Sequence, residues 1–154
     1  QLMSKKKKIG GTASLLRSGI VLAGIEEMSS GEGEDGVMTA KEFAGLDLRH
    51  THLVTLSACE TGVGDIKNGL GVFGLRRAIS MSGARSSLMS LWKVDDEGTQ
   101  HFMTSLYARL KKQKGKRDSM RAVQLKMLNS KRFSHPYYWS AFTLNGDWNA
   151  IPKK

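Results

Sequence analysis

A chain of 154 residues, 40% hydrophobic and 25% charged, fits one globular domain able to bury a core of its own. Its single cysteine excludes an internal disulfide and makes a reducing, cytoplasmic setting the expectation. No apolar run approaches the roughly 18 residues of a membrane span, and no apolar stretch follows Lys5–Lys8 as a secretory signal requires. The net charge of +10 is uneven, with acids gathered between Glu26 and Glu97 and bases at Lys5–Lys8 and along Arg109 to Lys126. Such a basic stretch can be a patch for nucleic acid or another acidic partner, or a solvated helix face. Apart from Tyr107, no aromatic residue is interleaved there to stack bases.

In chain order, Ser18–Gly24 is a short apolar run bounded by glycines and reads as a buried strand. An acidic, glycine-rich loop follows over Glu26–Gly36. Thr39 and Glu42 have capping-box spacing, predicting a short helix through Leu46. His52–Ala58 is a second buried strand, and the loop Cys59–Asn68 follows it directly. Helical spacing over Leu70–Met81 places Val72, Leu75 and Ile79 on one stripe, with Gly83 set to end the helix.

Ser86–Trp92 reads as a third buried strand. Asp95 and Asp96 then cap a helix with the stripe Phe102, Leu106 and Leu110, and Asp118 caps another over Met120–Leu128. The aromatic-rich Tyr137–Leu144 reads as a last strand, closed by Asn145-Gly146. Strands alternating with helices predict an α/β fold, a mostly parallel sheet with helices on both faces. In such sheets chemistry gathers beyond the carboxyl ends of strands, which is where Cys59 falls.

A cysteine directly after a strand, in a loop holding Gly62 and Gly64, can expose its sulfur while backbone N–H groups stay free for an oxyanion. A lone cysteine is otherwise a small buried hydrophobe. A reactive thiolate also needs a base, normally histidine. His50 and His52 begin the strand that ends before Cys59, which sets His52 roughly 20 Å away at about 3.3 Å per residue. His135 belongs with Pro136 to a turn, and His101 lies near a helix start on the better edge or is simply a surface histidine. None is a convincing base.

Leu53-Val-Thr-Leu-Ser-Ala-Cys-Glu-Thr-Gly62 resembles the nucleophile motif of the CHAT domain, a caspase-like module often fused to tetratricopeptide repeats. Gly69–Ala78, Gly83–Trp92 and His135–Phe142 resemble later blocks of that family, in family order. The resemblance implies a caspase–separase fold and a cysteine endopeptidase acting through a Cys–His dyad, with no metal and no cofactor. The family's histidine stands in an upstream His-Gly motif, and this sequence has no His-Gly pair. With the opening Gln1-Leu2-Met3, this gives the expectation of a domain incomplete on its N-terminal side. Residues 1–17 are then a basic leader, 18–150 the C-terminal part of the domain and 151–154 a tail.

The partners implied are a protein substrate, the missing N-terminal half and repeat domains, with no membrane. Asp95 and Asp96 resemble the acidic position of separases and imply a P1 pocket for arginine or lysine, whereas a purely capping role is the alternative. Two rival readings remain. A non-catalytic scaffold or basic adaptor would use the same fold without the dyad. Gly69-Leu-Gly71-Val-Phe-Gly74 has GxGxxG spacing, but the loop from Cys59 to Asn68 separates it from the preceding strand, against a dinucleotide site.

Overall fold

The computed structural model describes residues 19–21, 37–57 and 70–153. Strand β1 (Gly19–Val21) pairs antiparallel with β2 (Val37–Thr39). The chain turns at once into helix α1 (Ala40–Ala44), where Thr39 and Glu42 close the capping box expected from their spacing. A tight clasp follows, with both Asp47 oxygens accepting from the Arg49 guanidinium (2.8 and 2.7 Å). Bonds from the Arg49 side chain and backbone draw the Asp47 carboxyl from its ordinary 3.8 down to about 2.

Strand β3 (Val54–Leu56) runs parallel to β4 (Ser86–Ser90) through helix α2 (Leu70–Met81). Helix α2 turns Leu75 and Ile79 of the expected stripe inward, together with Ala78, and leaves Phe73 exposed; the Val72 side chain lies outside the described ones. Gly83 stops it in the left-handed region (φ 89°), where a side chain would be strained and would collide with Arg49. Beyond β4 come α3 (Asp96–Lys111), α4 (Lys116–Leu128), α5 (Pro136–Trp139) and β5 (Phe142–Gly146), with β5 antiparallel to β4.

The larger sheet has the order β3-β4-β5. Among the described residues the β3–β4 pair is parallel, while β4–β5 and β1–β2 are antiparallel. The mixed α/β architecture is therefore present, with small sheets. Helices do cover both faces. Leu88 packs with Phe102, Leu106, Val123 and Met127 of α3 and α4, and its neighbour Met89 packs with Phe43, Leu75 and Ile79 of α1 and α2. Alternation along a strand sends successive side chains to opposite faces, so one dipeptide anchors both cores.

Two expected elements are corrected. Helix α4 begins at Lys116 with Gly115 at its N-cap, and Asp118 lies in its first turn. The Asp118 charge still suits the positive helix end, but its side chain is not the cap. Residues 136–139 form helix α5 instead of the first half of a strand, and β5 begins only at Phe142 and runs through Asn145 and Gly146. Pro136 fixes the first helical φ, and His135 Nδ1 accepts from the Tyr137 N–H (3.2 Å), so local capping overrides aromatic strand propensity.

Phe102 is wholly buried and stacks on Phe142 with centroids 3.9 Å apart. Replacing Phe102 with Ala should cost about 3–5 kcal/mol in denaturant unfolding, whereas Phe73→Ala, on the surface, should stay within about 0.5 kcal/mol. Asp47 supplies a pH test. Because its folded pKa is lowered, the clasp contributes in full above the ordinary carboxylate range and is lost as pH falls toward 2. A carboxyl NMR titration of Asp47 should find its midpoint near 2 in the wild type and in the ordinary range in Arg49→Ala.

Candidate active site

Strands β3 and β4 are parallel and in register, Leu56 opposite Met89. Both therefore leave the sheet at the same edge. Cys59 comes three positions after the end of β3 in the sequence; Cys59 and Gly62 lie outside the described residues. The opposite wall of that edge, after β4, is described in full.

Leu91 extends the β4–β5 pairing by donating its N–H to the Ala141 carbonyl (2.9 Å). Trp92 then donates its indole N–H to the Tyr137 carbonyl (3.0 Å), and the Tyr137 hydroxyl donates back to the Lys93 carbonyl. Val94 is buried beneath them. Asp95 is the N-cap of α3, its carboxylate accepting from the Gly98 N–H (2.9 Å). The cap is tightly enclosed, since a Cβ on Gly98 would stand 2.6 Å from Asp95 Oδ1 and 2.8 Å from the Tyr138 ring. Glu97 pairs with Arg132. Helix α5 and the residues before it thus brace the segment that carries both aspartates.

Asp95 and Asp96 are solvent-exposed. Two adjacent carboxylates, one immobilised by its cap, can receive a cationic side chain. Asp95 has a structural duty as well, so the two are not equivalent. The Ser90 hydroxyl, at the carboxyl end of β4, is buried with no hydrogen-bond partner among the described residues.

The histidines fall where the sequence reading sets them. His52 precedes β3 at the opposite edge of the sheet, and its carbonyl accepts from the Ser86 hydroxyl. His101 lies inside α3 and stacks on Phe133 (centroids 5.0 Å). His135 spends its Nδ1 lone pair on the α5 cap. Gly71 and Gly74 belong to α2 itself, so they do not form the phosphate loop that a GxGxxG site needs. Among the described residues, no group of three or more His, Cys, Asp or Glu side chains has metal-ligand spacing, and no helix is long and apolar enough to cross a membrane.

Sequence reasoning missed the brace. Trp92 and Tyr137 are far apart in the chain, and no periodicity links them. The bond from the Tyr107 hydroxyl on α3 to Thr55 on β3 (2.9 Å) was equally hidden. The only hint in the sequence was the density of hydrogen-bonding aromatics, Tyr137, Tyr138 and Trp139, beside a proline.

The fold and this edge define an α/β domain with a braced acidic rim beside a strand that leads into a cysteine motif. The CHAT domain family model matches residues 8–147, and the chain belongs to that family. Among known proteins, tetratricopeptide repeat protein 28 of Mus musculus is 35% identical over 115 residues, covering 71% of this chain and 4% of that protein. Its Homo sapiens counterpart is 36% identical over 80 residues, 49% of this chain and 3% of that protein. The chain thus spans only a small part of these relatives. No solved structure matches it.

Truncating the cap gives a direct check on the rim. Asp95→Ala should lower unfolding stability by about 1 kcal/mol, whereas Asp95→Asn, which keeps an accepting oxygen, should lose only a few tenths.

Proposed function

We propose that this chain is the nucleophile-bearing part of a CHAT-type cysteine endopeptidase with a caspase-like active-site arrangement. The observation that carries the reading is the parallel, in-register β3–β4 pair, whose strands end at one edge of the sheet, β3 three positions before Cys59 in the sequence and β4 five before Asp95. The family supplies the motif around Cys59.

In this mechanism the Cys59 thiolate attacks the scissile carbonyl carbon, and the backbone N–H groups of the Cys59–Gly62 loop steady the oxyanion. The base is a histidine of a His-Gly motif outside this sequence. It takes the thiol proton and then donates it to the leaving amine as the C–N bond breaks. Water, deprotonated by the same histidine, hydrolyses the thioester and restores the thiol. Asp96, with Asp95 beside it, pairs with a P1 arginine or lysine of the protein substrate. The chemistry draws on no metal or cofactor. The repeat-protein relatives support a setting with attached tetratricopeptide repeats; in this reading the repeats regulate the domain, and the single cysteine agrees with a reducing cytoplasm.

The test joins this chain to an upstream segment that carries a His-Gly motif of the family. Cys59 of the joined protein should alkylate with a thiolate pKa well below the free value of about 8.5. Fluorogenic peptides ending in P1 arginine should be cleaved, and Cys59→Ala should abolish cleavage. Asp96→Asn should lower kcat/KM for P1 arginine by about tenfold or more, near 1.4 kcal/mol. An ordinary thiol pKa with no cleavage would leave the non-catalytic scaffold as the better account. Cleavage after aspartate would instead remove the acidic rim from substrate binding.

A further inference from the structure

We propose that the groove between α4 and β5 docks an acidic peptide segment of a partner protein, one that presents a large apolar side chain. The groove is a half-open concavity of about 370 Å³. Met120 of α4 and Leu144 of β5 contribute apolar surface, and Trp148 lies just past the strand. Its indole is well exposed at 59%. Arg117 and Arg121, one helical turn apart on α4, line it too, with Gln124 and Gly146.

The occupant follows from chemistry. An apolar floor of this size suits a single large side chain, and two guanidiniums on one wall suit flanking carboxylates. Arg117 lies 5.9 Å from the Trp148 ring centroid, so cation and aromatic act on one ligand. Arg117 also meets Asp118 at 3.1 Å, but both side chains are two-thirds exposed and such a pair is readily exchanged. Arg121 has no carboxylate partner among the described residues. The other carboxylate nearby, Asp147, is held below its usual range by the Asn149 backbone N–H and by Lys116, so it faces those partners.

A single-stranded nucleic acid fits less well. Successive bases need successive stacking platforms, and Trp148 is the one aromatic lining this groove. The groove is also separate from the candidate active site. Gly146 pairs with Ser86 at the amino end of β4, whereas the acidic rim follows Ser90 at its carboxyl end.

The experiment is fluorescence anisotropy on the 154-residue chain, using a labelled peptide whose central phenylalanine is flanked on both sides by glutamates. Replacing that phenylalanine with alanine should weaken binding about tenfold, as should Arg121→Glu or Trp148→Ala in the protein. Lys41→Glu, the same charge change at an exposed position of α1, whose Ala40 and Phe43 pack in the other apolar cluster, should alter affinity less than about threefold. Circular dichroism verifies that each variant is folded. Equal affinity for the phenylalanine and alanine peptides would overturn the proposal. So would an equal loss with Lys41→Glu, or tighter binding of oligothymidylate that Arg121→Glu abolishes.

Discussion

Everything described in this domain hangs on β4. All five of its residues are buried, it is the central strand of its sheet, and its two faces feed two different apolar clusters. A strand covered on both faces cannot slip by one residue without exchanging Leu88 and Met89 between cores. Serines at 86, 87 and 90 keep it thin, so helices can approach closely from either side. Their hydroxyls carry a polar cost inside the protein, which Ser86 meets by donating to the His52 carbonyl across to the segment leading into β3. The fixed register of β4 sets where β3 ends, and hence where the chain departs toward Cys59.

From the carboxyl end of β4 the rigidity continues outward. A residue that must receive a charged substrate group works best on a support whose own rotamers are locked. The Trp92–Tyr137 and Tyr137–Lys93 bonds, the Gly98–Tyr138 contact and the Phe133–Tyr138 edge-to-face pair hold the start of α3 from outside. Asp95 is then immobilised by its own cap, which leaves Asp96 as the carboxylate without a backbone duty. Segment 130–139 therefore acts as a second layer behind the rim, and Arg132 adds a charge there by pairing with Glu97.

Much of this was legible because it is local. The capping box at Thr39, the α2 stripe, the Gly83 stop and the Asp95 cap all depend on residues within one or two turns, and each appears where spacing sets it. The start of α4 was misread because Asp118 is a good capping residue, while a glycine cap leaves a weaker sequence signal. Tyr137–Trp139 misled in the other direction, since aromatic strand propensity reflects packing and yields to a proline and a cap. The direction of β5 is not encoded in its own residues at all, because antiparallel pairing with β4 follows from the path of three intervening helices. For the candidate site, the nucleophile motif and the aspartates could be read from sequence, and the brace behind them could not.

The charge asymmetry acquires a structural meaning along α3. Its first turn carries Asp96 and Glu97 beyond the Asp95 cap, and its last turn carries Arg109 and Lys111. Acids at the N-terminus and bases at the C-terminus both favour the helix dipole. At about 1.5 Å per residue, the acids at 96 and 97 and the bases at 109 and 111 lie roughly 18–22 Å apart along the axis. That is more than twice the Debye length of about 8 Å at physiological salt. The basic end of α3 is therefore largely screened from the rim. The same separation leaves the basic end, with Arg117 and Arg121 on the next helix, free to attract acidic partners. One helix thus lets a strongly basic chain present ends of opposite sign.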